Sequence, residues 1–429
     1  MSTRNVKPKH LSILAQAALS GACLAALAPA AYSGDNFMDA LTGGKASLSF
    51  RYRYESVNQE GFAKDAGAST LRTQLGYKTG EFYNFGAFLQ FEDVHVLGKA
   101  RYNSTANGLT QYPVVADPQG NEINQAYLSY SGIPDTMLKY GRQVITYDNH
   151  RFVGNVGWRQ NEQTYDAFTL ENKSLPSTTI NYAHVTNVNR FFGEDHPTLS
   201  DLHMKSDLLN VAYNGFKVGK VIGYGYLLDY DPGQAGGFPV TASNKTFGLR
   251  FDGSHPFDGW KLLYSAEYAK QSDYKDGAST VDASYVNTML GADYKGVQVK
   301  LNYEVLGGDG VYGFFTPLST LHAFNGWADK FLTTPRDGIR DAFVSVGGSP
   351  GWDINLLGFY HDFSSDNLGY NYGKEWDLQA SRKFDKNVTV LVKYAKYIGD
   401  TNATNVARNA AQALSKDISK IWLQAEISF

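Results

Sequence analysis

The chain has 429 residues, of which 43% are hydrophobic and 19% charged, with 43 glycines and an aromatic share of 14% led by 29 Tyr and 25 Phe. This composition excludes a disordered chain, and beyond the N-terminus no apolar run reaches the ~18 residues that a transmembrane helix needs, which excludes a helical membrane protein. A formal charge of −3 excludes a generally basic nucleic-acid binder, because phosphate contacts require a basic surface.

Residues 1–33 read as a secretory signal, cleaved in the mature protein: Arg4, Lys7, Lys9 and His10 form a basic start, Leu11 to Leu27 a mostly small and apolar core, and Ala31-Tyr32-Ser33 a cleavage site before Gly34. A second site follows Ala28-Pro29-Ala30. The single cysteine, Cys23, lies inside this segment with Ser20 where a lipoprotein signal has a Leu-like residue, so no lipid anchor and no disulfide are expected.

Residues 34–429 form one domain of two-sided strands. Ala46, Leu48, Phe50, Tyr52 and Tyr54 alternate with Ser47, Ser49, Arg51, Arg53 and Glu55, and the same division recurs at 71–78 and 297–305. In chain order the candidate strands are 46–57, 70–79, 83–96, 122–131, 137–145, 164–172, 177–188, 206–214, 218–230, 244–253, 259–271, 284–295, 297–306, 339–347, 352–363, 373–384, 388–398 and 417–429. That makes eighteen, or sixteen if the poorly alternating segments 164–172 and 206–214 do not count.

Connections alternate in length. The short ones are rich in Gly, Pro, Asp and Asn: 79–81, 131–135, 295–296, 349–351 and 385–387. The long ones include 98–122 and 308–338, which are too long for structureless loops in a compact soluble domain. Aromatic residues such as Tyr52, Tyr54, Trp260, Tyr268, Trp376 and Phe384 sit toward the strand ends, where amphipathic rings rest at the headgroup level. The last strand, ending in Phe429, is similar to the assembly signal of bacterial outer-membrane barrels. The expected fold is therefore all-β: a transmembrane antiparallel barrel in a Gram-negative outer membrane, with short periplasmic turns and long extracellular loops. Its expected partners are membrane lipid, lipopolysaccharide and, through the Phe429 strand, the barrel assembly machinery. No coiled coil or second domain is available for oligomerisation, so a monomer is expected, and eighteen strands should enclose an aqueous channel.

The polar faces supply the pore-lining candidates Arg51, Arg53, Arg72, Lys78, Glu92, Arg250, Lys300, Glu304, Glu375, Asp377 and Lys383. Across the whole polar face the two signs nearly balance. Arg51, Arg53 and Arg72 nevertheless fall close together on the first two strands, where a basic patch favours anionic solutes.

The segment Leu138 to Leu170 is the most distinctive. A strand ending in Gly141-Arg142-Gln143, a loop with Asp148, Arg151, Gly154 and Trp158-Arg159-Gln160, and a return at Asp166-Ala167 resemble the alginate export family of outer-membrane porins. The resemblance implies an eighteen-stranded barrel whose electropositive pore conducts an anionic uronate polysaccharide outward. The loop 146–163, with Arg142, Asp148, Arg151, Trp158, Arg159 and Glu162 in or beside it, either folds inward as a constriction or stays on the rim, pinned by Trp158.

Gly347-Gly348-Ser349-Pro350-Gly351 has the spacing of a nucleophile elbow but lies between two strands rather than between strand and helix, so no catalytic residue and no enzyme activity are expected. His196 and His203, among Glu194, Asp195, Asp201 and Asp207, are candidates for a metal or structural Ca²⁺ site. Their spacing fits no established motif, and a solvated acidic loop is the simpler reading. No other cofactor is expected. The function read from the residues is a passive channel for anionic or polar solutes, either exporting an acidic polysaccharide or admitting small organic solutes. A barrel enzyme or an adhesin is the alternative class.

Overall fold

A computed structural model describes residues 36–233, 237–351, 353–401 and 413–429. The expected signal segment lies outside the described residues. A short helix, α1 (Phe37–Thr42), is capped by Asn36 and leads into eighteen strands: β1 (Lys45–Gln59), β2 (Ala66–Lys78), β3 (Phe85–Val96), β4 (Gly120–Ile133), β5 (Thr136–Gln143), β6 (Thr164–Asn172), β7 (Thr178–Asn189), β8 (Asp201–Phe216) and β9 (Gly219–Leu228), then β10 (Asn244–Phe257), β11 (Trp260–Asp273), β12 (Asp282–Tyr294), β13 (Val297–Leu306), β14 (Ile339–Gly351), β15 (Ile354–Ser364), β16 (Asn371–Lys383), β17 (Val388–Gly399) and β18 (Ile418–Ser428).

Each strand pairs antiparallel with its neighbour in sequence, and β1 also pairs with β18, from Ser49↔Ser428 to Gln59↔Ile418. This last pairing closes the sheet, so no strand edge is left unpaired in a medium that offers no hydrogen bonds. Period-two alternation then sorts the side chains. Leu249 and Leu301 are 60% and 61% exposed and face lipid, whereas Arg53, Glu55, Glu375 and Asp377 are each 0% exposed and face the lumen. Aromatic pairs mark the strand ends, with Phe257 and Trp260 stacked at 4.4 Å across the β10–β11 turn.

The short connections are tighter than the sequence suggests. Lys295-Gly296 is a two-residue turn with both φ angles positive, at 50° and 85°, the geometry that matches the twist of its flanking strands. The turn expected at 131–135 shrinks to 134–135, and the strand before the turn expected at 349–351 runs on to Gly351. In both, the preceding strand carries one extra residue, between Tyr130 and Ile133 or between Gly348 and Gly351. A bulge leaves that residue unpaired, so a strand can run on through Gly and Pro residues that read locally as a turn. β8 begins at Asp201, five residues earlier than its sequence pattern, and so absorbs His203 from the expected loop.

Candidate pore constriction

Three of the long extracellular connections, 97–119, 144–163 and 307–338, enter the lumen and bind one another. Gly154 N–H donates to Leu318 O at 2.8 Å and Thr320 N–H to His150 O at 3.0 Å, which ties the second connection to the third. Gly154 is required here, because a Cβ would lie 2.9 Å from the Thr320 nitrogen. The backbone N–H of Gln160 donates to Asp117 Oδ1 at 2.8 Å, which ties the second to the first. The 146–163 loop therefore lies inside the barrel and not on its rim.

The inserted loop is held by the basic patch. Arg51 and Arg72 are direct cross-strand partners. Arg51 Nη1 donates to Gly157 O at 2.9 Å, and Arg53 Nη1 to Trp158 O at 2.5 Å. Arg53 also donates to Gln424 Oε1 and lies 4.0 Å from the Trp158 ring. On the indole the Lys393 ammonium lies at 4.2 Å, and the His322 ring stacks at 4.5 Å. Lys393 also lies 3.5 Å from the Trp327 ring. Arg51 and Arg72 share Glu426 at 3.9 Å each, beyond hydrogen-bond reach.

Next to Trp158, Arg159 meets Glu55 at 3.1 Å, Asp329 at 3.3 Å and Asp117 at 3.6 Å. Burial opposes its charge, but these three carboxylates outweigh burial and keep the guanidinium protonated. Asp329 also accepts from Lys420 Nζ at 2.6 Å and pairs with His322 Nδ1 at 2.6 Å. Burial holds the His322 imidazole well below its ordinary range, with Lys393 adding to the effect, so His322 is neutral at pH 7. Its Nδ1–H then donates to Asp329 while Nε2 accepts from Lys393 at 2.8 Å. For Asp329, burial works against ionisation, but His322, Lys420 and Arg159 hold the carboxyl well below the usual range. With His322 neutral, the positive field comes from Lys420 and Arg159.

The adjoining arc of the wall, beginning at β16 beside β17, is acidic. Glu304 and Asp341 are cross-strand partners on β13 and β14, and Glu375 with Asp377 follow on β16. Arg151 meets Glu304 at 2.9 Å and donates to Asn325 Oδ1 at 2.9 Å. Asn325 in turn donates to Glu304 at 2.7 Å and to Asp341 at 3.2 Å. The backbone N–H groups of Trp327 and Ala328 donate to Asp377 at 3.1 Å and Glu375 at 2.6 Å. Gly326, at φ +84°, lets the chain pass so close that a Cβ would come within 2.5 Å of the Glu375 carboxyl. Around the barrel, the bases of β17, β18, β1 and β2 stand beside an acid-rich arc on β13, β14 and β16, while Glu55 on β1 and Glu426 on β18 set carboxylates within the basic arc.

The remaining candidates fall in other places. Glu92 faces the lumen and accepts from Gln74 at 2.5 Å. Arg250 pairs with Asp252 and Glu267 at 2.7 and 3.0 Å, away from the basic patch. Lys300 is half-buried, and Lys78 and Lys383 are exposed at the periplasmic strand ends. Asp148 accepts from Asn210 at 2.6 Å and Glu162 from Asn124 at 2.7 Å, which anchors the two ends of the loop. Arg142 is a correction. It lies two residues from Tyr140, which is 70% exposed to lipid, so the strand period turns it outward, where it pairs with Asp166 at 3.1 Å.

His196 and His203 are not brought together: His196 is buried, with Nδ1 accepting from the Thr198 and Leu199 N–H groups, and His203 is exposed on β8. Among the described residues no group of three or more His, Cys, Asp or Glu side chains is placed to hold a metal ion. Sequence reasoning missed Asp341, His322, Asn325, Trp327 and Asp329. The last four lie in a loop without periodicity, where the only signal is an unusual density of Trp, His and Asp.

The fold is similar to those of solved outer-membrane porins. Acinetobacter baumannii OccAB4 aligns with 90% of this chain and 98% of its own at 13% identity and a TM-score of 0.69. Pseudomonas aeruginosa OccK9 (OpdG) aligns over 91% and 100% at 13% identity and 0.67, and OccD3 (OpdP) of the same organism over 96% and 97% at 13% identity and 0.65. No curated protein matches the chain. The alginate export family model matches residues 45–346, most of the barrel, and this chain therefore belongs to the alginate export family as a bacterial outer-membrane channel.

Proposed function

We propose that the channel passes small organic anions, one at a time and passively, as a monomer, through a lumen narrowed by its own loops. The observation that carries this reading is the basic strip formed by Arg72, Arg51, Arg53, Lys420 and Lys393 on four adjacent strands, at the level where the 144–163 connection docks on the wall. Fixed positive charge in a narrow, partly dry passage favours anions far more than the same charge would in open water. The family also suggests export of an acidic polysaccharide, but such a polymer requires the 144–163 and 307–338 connections to withdraw from the lumen together. No chemistry beyond conduction is assigned. The His322–Asp329 and His361–Asp341 pairs are buried against aromatic rings, and the group that meets His322 Nε2, at 2.8 Å, is Lys393.

Liposome swelling tests the reading. Vesicles holding the refolded protein should swell faster in sodium gluconate than in an uncharged sugar of similar size, and should exclude an oligo-uronate of several residues. Equal swelling in all three solutes would overturn it.

A further inference from the structure

The extracellular mouth holds a cavity of about 420 Å³, within the ~300–1,000 Å³ range of small-molecule sites. It is built from two kinds of side chain. Phe62, Phe191 and Leu332 come from three different connections, and Phe62 and Leu332 are exposed although they face water rather than lipid. Apolar side chains that converge on a water-filled mouth from separate loops need an explanation, since water-facing loops gain nothing by carrying them there. The floor carries Arg159, Lys330 and Lys420, with Asp329 as the acid lining the same space. Of these three cations Arg159 and Lys420 are paired with carboxylates, which leaves Lys330, whose Nζ donates to a backbone carbonyl, as the charge the lining offers, and deeper in the lumen Arg51 and Arg53 are already occupied by the carbonyls of Gly157 and Trp158. A solute arriving from outside therefore meets available positive charge first at this cavity.

We propose that this mouth cavity is a capture site for amphipathic organic acids, holding the carboxylate against Lys330 and an aliphatic or aromatic body against Phe62, Phe191 and Leu332. The inference rests on the anion-channel reading and narrows it: charge alone is insufficient, and an acid of the same charge clothed in hydroxyls binds less well. Burying a hydroxyl against apolar walls without a partner costs free energy, whereas a methylene there gains about 0.8 kcal/mol.

Lys330 adds a pH signature. Burial lowers its ammonium to about 8, opposed by Asp417, Glu375 and Glu60, while Lys416 reinforces the lowering. Its Nζ donates to Lys416 O at 3.1 Å and lies 5.3 Å from the Tyr397 ring. The charge is present below that value and lost above it, so carboxylate capture should weaken as pH rises through about 8.

The test compares hexanoate with gluconate, two six-carbon monocarboxylates, as blockers of KCl current through single channels. Hexanoate should half-block at a concentration at least ~10-fold lower, as expected when several methylenes are buried. The double variant Phe62→Asn/Leu332→Asn should bring the two concentrations together, and Lys330→Gln should raise both and remove the pH step. Equal blocking by the two acids in the unaltered protein, or an unchanged ratio in the double variant, would overturn the proposal. Tryptophan fluorescence titrated with the same two acids in detergent gives a second readout, because Trp158 and Trp327 stand in the constriction beneath the cavity, and the same ratio is expected. A protein that passes no KCl current fails the channel reading instead, and the fluorescence titration still decides the capture site.

Discussion

Replacing Trp158 by alanine should unfasten the inserted loop without harming the barrel. Complete burial of a Trp is worth ~3–5 kcal/mol against alanine, and Trp158 is half-buried, so about 2 kcal/mol of packing is at stake. The Arg53 and Lys393 contacts at 4.0 and 4.2 Å add roughly 0.5–1 kcal/mol each. Arg53 keeps its bond to the residue-158 carbonyl in the variant, so the loss is confined to these terms, about 3–4 kcal/mol in all. At ~1.4 kcal/mol per factor of ten, the ratio of docked to undocked loop falls by roughly 140- to 700-fold. Single-channel recording in planar bilayers should then show long openings of higher conductance that are rare in the unaltered protein. Migration as a heat-modifiable band should be unchanged, because the closed ladder of eighteen strands does not involve the indole. A conductance histogram identical to that of the parent would refute the idea that Trp158 fastens the constriction.

The triple substitution of Arg51, Arg53 and Arg72 by Gln should lower the anion-to-cation permeability ratio at low salt and also raise current noise, since two of the three arginines hold the loop; a drop in selectivity at unchanged noise would show that the patch does not restrain it. Gly326→Ala places a methyl against Glu375 at a φ of +84°, so the 307–338 connection should lift from β16 and mean conductance should rise, and an unchanged conductance would count against that docking. Acidification should open the channel. His322 is held neutral when docked and takes up a proton when released, so docking weakens as pH falls below ~6.5, and the depressed Asp329 adds to the loss below ~4, by up to ~1.4 kcal/mol per pH unit for each group. Recordings at pH 7.5 and 5 check this, and closure at pH 5 would contradict it.

The barrel was legible because lipid and lumen impose opposite chemistries on alternate residues, a pattern that survives in β1 as Tyr52 and Tyr54 against Arg51 and Arg53 without any knowledge of contacts. Even β6 and β8, whose alternation is poor, form strands, because their neighbours leave donors that only a strand can satisfy. The lumen was harder to read. Glu375 and Asp377 could be assigned to the polar face, but the acid-rich arc they form with Glu304 and Asp341 emerges only when residues are ordered by strand around the closed sheet. Arg142 was misread because its place beside the loop motif outweighed its parity with Tyr140. The partners of Trp158 could not be read at all: His322 lies 164 positions away in a connection without periodicity, and Trp422 lies on the last strand.

The central claim is that the lumen of this outer-membrane channel selects for negative charge through the strip on β17, β18, β1 and β2. Reversal potential in a tenfold KCl gradient across a planar bilayer tests it most directly. The account predicts a potential of the sign given by chloride permeation, large when the dilute side is near 0.01 M, where the Debye length is about 30 Å, and shrinking toward zero as both sides approach 1 M, where it is about 3 Å. A potential of the cation-selective sign, or one that does not change with salt, would contradict it.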